Sequence, residues 1–266
     1  MRSVSVQTLQ FASLGDRQFL ADLYLPSKEG TCPAMIAVSG GGWQRGNRTM
    51  LAEWGKYLAS HGYAVLSIDY RQSVNCPSYP DNVQNVLAAC TYLREHADDY
   101  GIDQNRIGLL GVSSGAHLAA LAALTKTAHP ITVLALVYGI YDLASHWQFE
   151  KGRAAPDSKP LTEKMLGGLP SDDHMLYRLA SPLHLVDCER TKDVKALVAW
   201  GSNDDVVAPQ QSQAFAAALD AAGAIVRTQP VANAGHFWFS KESPWDPDSK
   251  AGAAAPQLLD FLGVYL

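Results

Sequence analysis

The chain has 266 residues and a formal net charge of −5, a length that suits one compact domain with or without an inserted cap. At 47% hydrophobic it can bury a sizeable core, and it carries no basic stripe, so nucleic acid and anionic membrane are excluded as partners. No apolar run is long enough to span a bilayer, and the first residues lack the apolar core of a secretion signal.

Residues 4–11 and 19–25 alternate apolar and polar side chains and predict an antiparallel hairpin at a sheet edge. A polar connector, 26–33, leads to the short apolar run 34–38, expected of a strand covered on both faces. That run ends in Ser39-Gly40-Gly41-Gly42-Trp43. A helix is expected over 50–60, a second buried strand over 64–68, and an amphipathic helix over 80–98, where Val83, Val86, Leu87, Cys90 and Leu93 recur at helical spacing. Strand 106–112, helix 114–126 and strand 132–138 follow. Residues 143–193 are less regular, proline-rich, and longer than an ordinary loop; they read as a partly helical cap insertion. The pattern then resumes with strand 195–200, helix 209–222, strand 225–231 and a last helix from about Pro256. Alternating buried strands and helices predict a mostly parallel sheet with helices on both faces. Right-handed crossovers bring the C-terminal ends of the parallel strands to one edge, where functional loops gather.

Four loops should meet there. The first is Gly111-Val112-Ser113-Ser114-Gly115, a G-x-S-x-G pattern between an apolar strand and a helix of small residues. Such a turn presents Ser113 at the end of the strand and aims the helix N-terminus at the site. A serine hydroxyl needs a base, and the base needs an orienting acid. Asp204, after strand 195–200, and His236, after strand 225–231, stand in the order Ser, Asp, His that this fold would require. Asp205 is the rival acid and is expected to serve a turn or cap; Asp142 reads as a loop residue. His117 should pack on the helix after the serine, and the other histidines, His146 among them, should lie on the surface or cap. Acyl transfer also develops an oxyanion that backbone N–H donors must meet. The glycines at 40–42 suit that task through their access to unusual φ/ψ. Gly41 and Gly42 are the chosen donors, with Gly40 and the Trp43 amide close alternatives, and Ser114 is the expected second contributor.

In this order, Ser39-Gly-Gly-Gly-Trp43, Asp69-Tyr70-Arg71, Gly111 to Gly115, Ala180-Ser181-Pro182, Gly201-Ser-Asn-Asp204 and Gly235-His236 resemble the α/β-hydrolase esterases with an HGGGW-type oxyanion motif. The groups concerned are the hormone-sensitive-lipase-like and the acetyl-xylan and feruloyl-esterase-like ones, with kynurenine formamidases as relatives. The resemblance implies an α/β-hydrolase fold, the triad Ser113, Asp204 and His236, and a structural role for Arg71 in bracing loops. Four positions depart from the pattern, one of them Ser114, which stands where alanine is frequent after the nucleophile. Ser39 replaces the histidine that braces the glycine loop, Ala116 replaces a second glycine, and Trp200 replaces a histidine before the acid loop.

The expected activity is hydrolysis of a small or medium carboxylic ester through an acyl-enzyme. An amidase, arylformamidase or lactonase on the same triad, and a non-catalytic small-molecule binder on the same fold, are the alternatives. Trp43, Trp147, Phe237 and Trp238 are the expected substrate-binding aromatics, with Phe149 and Phe239 as further candidates. No cluster of Arg or Lys stands in the motif loops to select an anion. The widely spaced cysteines, Cys32, Cys76, Cys90 and Cys188, read as reduced thiols. No metal or cofactor is expected, the location is expected to be cytoplasmic, and a homodimer stays open.

Overall fold

Residues 3–27, 30–153, 155 and 158–266 are described by a computed structural model. The connector 26–33 and the interval 143–193 therefore include residues (28, 29, 154, 156 and 157) that lie outside the described ones. Strands β1 (Val4–Leu14), β2 (Arg17–Pro26), β3 (Cys32–Val38), β4 (Ala64–Ile68), β5 (Ile102–Val112), β6 (Val133–Val137), β7 (Lys195–Gly201) and β8 (Ile225–Val231) form one sheet. Their order is β1-β2-β4-β3-β5-β6-β7-β8. The hairpin β1–β2 joins antiparallel to β4, and every later pairing is parallel. This is the α/β-hydrolase fold.

The helices are α1 (Ala52–Ser60), α2 (Asp81–Glu95), α3 (Ser114–Leu124), α4 (Leu143–Arg153), α5 (Leu161–Leu166), α6 (His174–Leu179), α7 (Cys188–Thr191), α8 (Pro209–Ala221), α9 (Trp238–Lys241) and α10 (Lys250–Tyr265). Side chains of α2, α3 and α8 share one core cluster, and those of α1 and α10 share the other. Strand β3 shows why both faces are covered. Ala34, Ile36 and Val38 point into the first cluster, while Met35 and Ala37 point into the second. Ile36 is fully buried, which contributes about 2 kcal/mol relative to an exposed side chain. Among the described residues, no helix is long and apolar enough to cross a membrane.

Two expected boundaries move furthest. Strand β5 begins at Ile102 rather than 106, because Ile102 pairs with Cys32 before the register breaks; Ala34 then pairs with Ile107. Only Pro33 of β3 faces residues 103–106, and proline offers no N–H to the ladder. The last helix begins at Lys250, six residues before Pro256. Ser249 caps it by accepting from the Gly252 amide at 2.9 Å. Ala251, Ala254, Ala255 and Leu258 then bury one stripe, and Pro256 sits within the helix instead of opening it.

Between β6 and β7 the chain is more helical than expected, holding α4 to α7. Asp142 opens α4, accepting from the Ala144 and Ser145 amides, the loop role expected of it. The Asp69-Tyr70-Arg71 triplet ties neighbouring segments together. Asp69 pairs with Arg48, Tyr70 donates to the Ser39 carbonyl, and Arg71 pairs with Asp81.

Candidate active site

The serine turn is set by steric need. Ser113 has φ 54° and ψ −122°, a strained conformation for any residue with a Cβ. A Cβ on Gly115 would stand 2.0 Å from the Val38 carbonyl oxygen, and one on Gly111 would stand 2.5 Å from the Ala116 Cα. Both glycines are therefore dictated by close backbone approach as β5 turns into α3. Ser113 is 8% exposed, at the N-terminus of α3.

Asp204 and His236 come from loops that are stitched together. A Cβ on Gly201 would stand 2.4 Å from the Ala234 carbonyl oxygen, and the Asn203 amide donates to that same carbonyl at 2.9 Å. His236 Nδ1 lies 2.7 Å from Asp204 Oδ2, and His236 Nε2 lies 2.9 Å from Ser113 Oγ. A carboxylate only accepts, so Nδ1 carries the proton and Nε2 is left to accept from the serine hydroxyl. Asp204 Oδ1 accepts from the Val206 and Val207 amides, both at 2.9 Å. The turn role expected of Asp205 thus falls on Asp204; Asp205 is exposed and points toward Arg153, 3.8 Å away. The Tyr138 ring packs on the His236 imidazole, centroids 4.4 Å apart. Only its place at the end of an apolar strand could have signalled Tyr138 in the sequence.

The glycine loop lies beside Ser113. Gly41 and Gly42 line the same cavity as Ser113 and His236, with φ of 126° and 59°. Ser114 opens α3 directly after the serine. Ser39 does bracing of its own kind: its hydroxyl donates to the Asn47 carbonyl at 2.9 Å, and its carbonyl accepts from Tyr70. Trp43 anchors the loop from below. Its indole N–H donates to His117 Nδ1 at 3.1 Å, and His117 Nε2–H donates to the Ala180 carbonyl at 2.8 Å. His117 thereby links the glycine loop, the serine helix and the Ala180-Ser181-Pro182 segment.

The cavity measures about 680 Å³. Phe237, 48% exposed, and Phe149 line it. The other expected aromatics are placed differently. Trp43 borders the cavity but is 1% exposed and committed to His117. Trp147 lies outside the lining; it packs on the core and its indole nitrogen stands 3.5 Å from Glu163. Trp238 and Phe239 are buried in the second core cluster, with Trp238 edge-on to Tyr138. The cause is the short helix α9, capped by Phe237 just after His236, which turns successive side chains by about 100°. Phe237 is left facing the cavity while its two successors face inward. His146, expected on the surface or cap, is 4% exposed and lines the cavity.

Burial pushes the His117 imidazole down to about 4; it does the same to His146, where the nearby His236 adds to the effect and Asp204 opposes it. Both are neutral in the folded protein, while the unfolded chain protonates them near 6.5. The unfolded state then binds more protons as pH falls, so these groups stabilise the fold fully above pH 6.5 and progressively less down to pH 4. The loss is on the order of 3 kcal/mol for each histidine. Urea unfolding at pH 7, 5.5 and 4.5 measures it, and a stability that stays flat across that window contradicts it. Replacing His117 by Leu is expected to cost about 2–4 kcal/mol, since it strands the buried Trp43 N–H and Ala180 carbonyl. His117→Gln should cost less, because its amide can both donate and accept; equal urea midpoints for the two variants would refute the bridge.

A mostly parallel sheet with helices on both faces and a serine held on a strand-to-helix turn defines an α/β-hydrolase. Residues 21–219 match the model of the BD-FAE family, and the chain belongs to that family. Esterase LipQ of Mycobacterium tuberculosis is 30% identical over 94% of this chain and 60% of that protein. An isoprenylcysteine alpha-carbonyl methylesterase of Arabidopsis thaliana is 27% identical over 76% of this chain and 50% of its own length. The chain spans about half the length of the curated relatives it matches. Among solved structures, a truncated carbohydrate esterase from gut microbiota superposes with a TM-score of 0.77 at 25% identity, covering 97% of this chain and 96% of that one. Esterase B of Lactobacillus rhamnosis reaches a TM-score of 0.80 over 98% and 86% of the two chains, at 22% identity.

Proposed function

We propose that this protein is a serine carboxylic-ester hydrolase acting on small or medium esters. The observation that carries the reading is the unbroken path from Ser113 through His236 to Asp204, at 2.9 and 2.7 Å, opening on a cavity. Ser113 Oγ attacks the ester carbonyl while His236 Nε2 takes its proton. Asp204 holds the imidazole in the tautomer that can accept and stabilises the imidazolium that results. The amides of Gly41, Gly42 and Ser114 stabilise the oxyanion, helped by the positive end of α3. His236 then hands its proton to the departing alkoxide. Water, deprotonated by the same histidine, releases the acid from Ser113. Residues 143–193 act as a cap on a single α/β-hydrolase domain, with α4 and α5 forming part of the cavity wall.

Fluorophosphonate labelling of the protein and of Ser113→Ala tests the nucleophile. The parent is expected to carry one label, and the variant none. A parent that resists the probe while remaining folded would favour a small-molecule binder on this fold.

A further inference from the structure

Four cations line the cavity although no motif loop holds a cluster. Arg45 stands two residues after Trp43, Arg153 ends α4, Lys159 stands two residues before α5, and Lys241 ends α9. Two carboxylates line it as well, and both are engaged. Asp205 stands 3.8 Å from Arg153, and Glu150 accepts from the Leu161 and Thr162 amides at 3.1 Å. Lys159 pairs with Glu163 at 3.5 Å. Among the described residues, Arg45 and Lys241 have no carboxylate partner. A protein of net charge −5 thus keeps two unneutralised cations at its cavity.

Lys241 is also placed with respect to the chemistry. Its ammonium lies 4.5 Å from the centroid of the Phe237 ring, and Phe237 packs edge-on against His236 at 5.0 Å. The sequence of groups is therefore imidazole, exposed apolar ring, cation. A second lining ring, Phe149, is likewise accompanied by the Arg153 guanidinium at 5.2 Å. In the reaction proposed above, on which this inference rests, the departing alkoxide takes its proton from His236. The alcohol half of the substrate accordingly lies beside His236, with Phe237 and Lys241 next in line.

We infer that the site selects esters whose leaving alcohol has an apolar or aromatic body and carries an anionic group, a carboxylate, at its far end. Phe237 covers the body, Lys241 meets the charge, and Arg45 adds to the positive field. Lys241 and Arg45 are both exposed, so their attraction for a carboxylate is screened by solvent and modest, and it acts as a preference between charged and neutral esters.

The test compares para-acetoxybenzoate with para-acetoxybenzamide, which match in size and differ in charge. The protein should favour the acid by about fivefold or more in kcat/KM at low ionic strength, mainly through KM, and salt should shrink that preference. Lys241→Gln should bring the ratio near unity, and Arg45→Gln should lower it partly. A ratio at or below one in the parent, or one that survives both substitutions together, overturns the inference. Calorimetric titration of Ser113→Ala with the same two esters separates this from the esterase reading. If turnover is absent but the acid binds more tightly, and Lys241→Gln removes the difference, the anion site stands while the esterase reading fails. Equal affinities for acid and amide end it.

Discussion

Ser113→Ala is expected to fold like the parent and to lose ~10⁴-fold or more in kcat on p-nitrophenyl acetate. The substitution removes one oxygen and keeps the Cβ, so the strained turn at φ 54° and its glycine contacts are unchanged. What disappears is the hydroxyl 2.9 Å from His236 Nε2. The amides proposed to meet the oxyanion remain, which is why some rate over water should survive. Circular dichroism and a thermal melt verify the fold while the ester assay reads the rate. Turnover at the parent level by this variant would remove Ser113 from the mechanism.

Asp204→Asn is expected to cost about 10⁴-fold in kcat at neutral pH while sparing stability. The asparagine carbonyl can still accept from the Val206 and Val207 amides, as Asp204 Oδ1 does at 2.9 Å. Its amide group then faces His236 Nδ1 and can only donate there. That forces the imidazole proton onto Nε2, where it points at Ser113 and cannot accept the hydroxyl proton. The change is one of tautomer, not of position. A urea midpoint close to the parent with a rate reduced to this degree is the expected pair of results. A rate within tenfold of the parent would mean that Asp204 does not orient the base.

The two predictions depend on residues of different legibility. Ser113 announced itself through a local pattern, because a strand turning sharply into a helix needs glycines on either side. The G-x-S-x-G spacing is the record of two backbone collisions, with Val38 and with Ala116. Asp204 and His236 were reachable through chain order, since parallel strands deliver their following loops to one edge. The choice of Asp204 over its neighbour rested on the resemblance of Gly201-Ser-Asn-Asp204 to the family pattern. Both are acidic and adjacent, and only the turn geometry shows that Asp204 serves the amides and the imidazole while Asp205 faces Arg153.

The cavity wall was legible only in part. Trp43 and Trp238 carry the residue type expected of a substrate pocket, yet one is held by His117 and the other is buried in the second core cluster against Tyr138. Aromatic side chains are large enough to serve either core or pocket, and composition does not separate the two. His146 reads as a surface or cap residue, and the structure brings it to the cavity wall on α4. The same holds for the cations: Arg45, Arg153, Lys159 and Lys241 span almost two hundred residues of sequence and meet at one opening.

The amino-acid sequence by itself determined the alternation of buried strands and helices, the serine turn and the order of the three candidate groups. Each of these follows from local sterics, hydrophobic period or chain direction, which act over a few residues at a time. Only the tertiary structure decided which aromatic rings reach the cavity, which of two adjacent carboxylates holds the turn amides, and where unpaired positive charge collects. Those outcomes depend on how distant segments pack against one another, and short-range patterns carry no information about that.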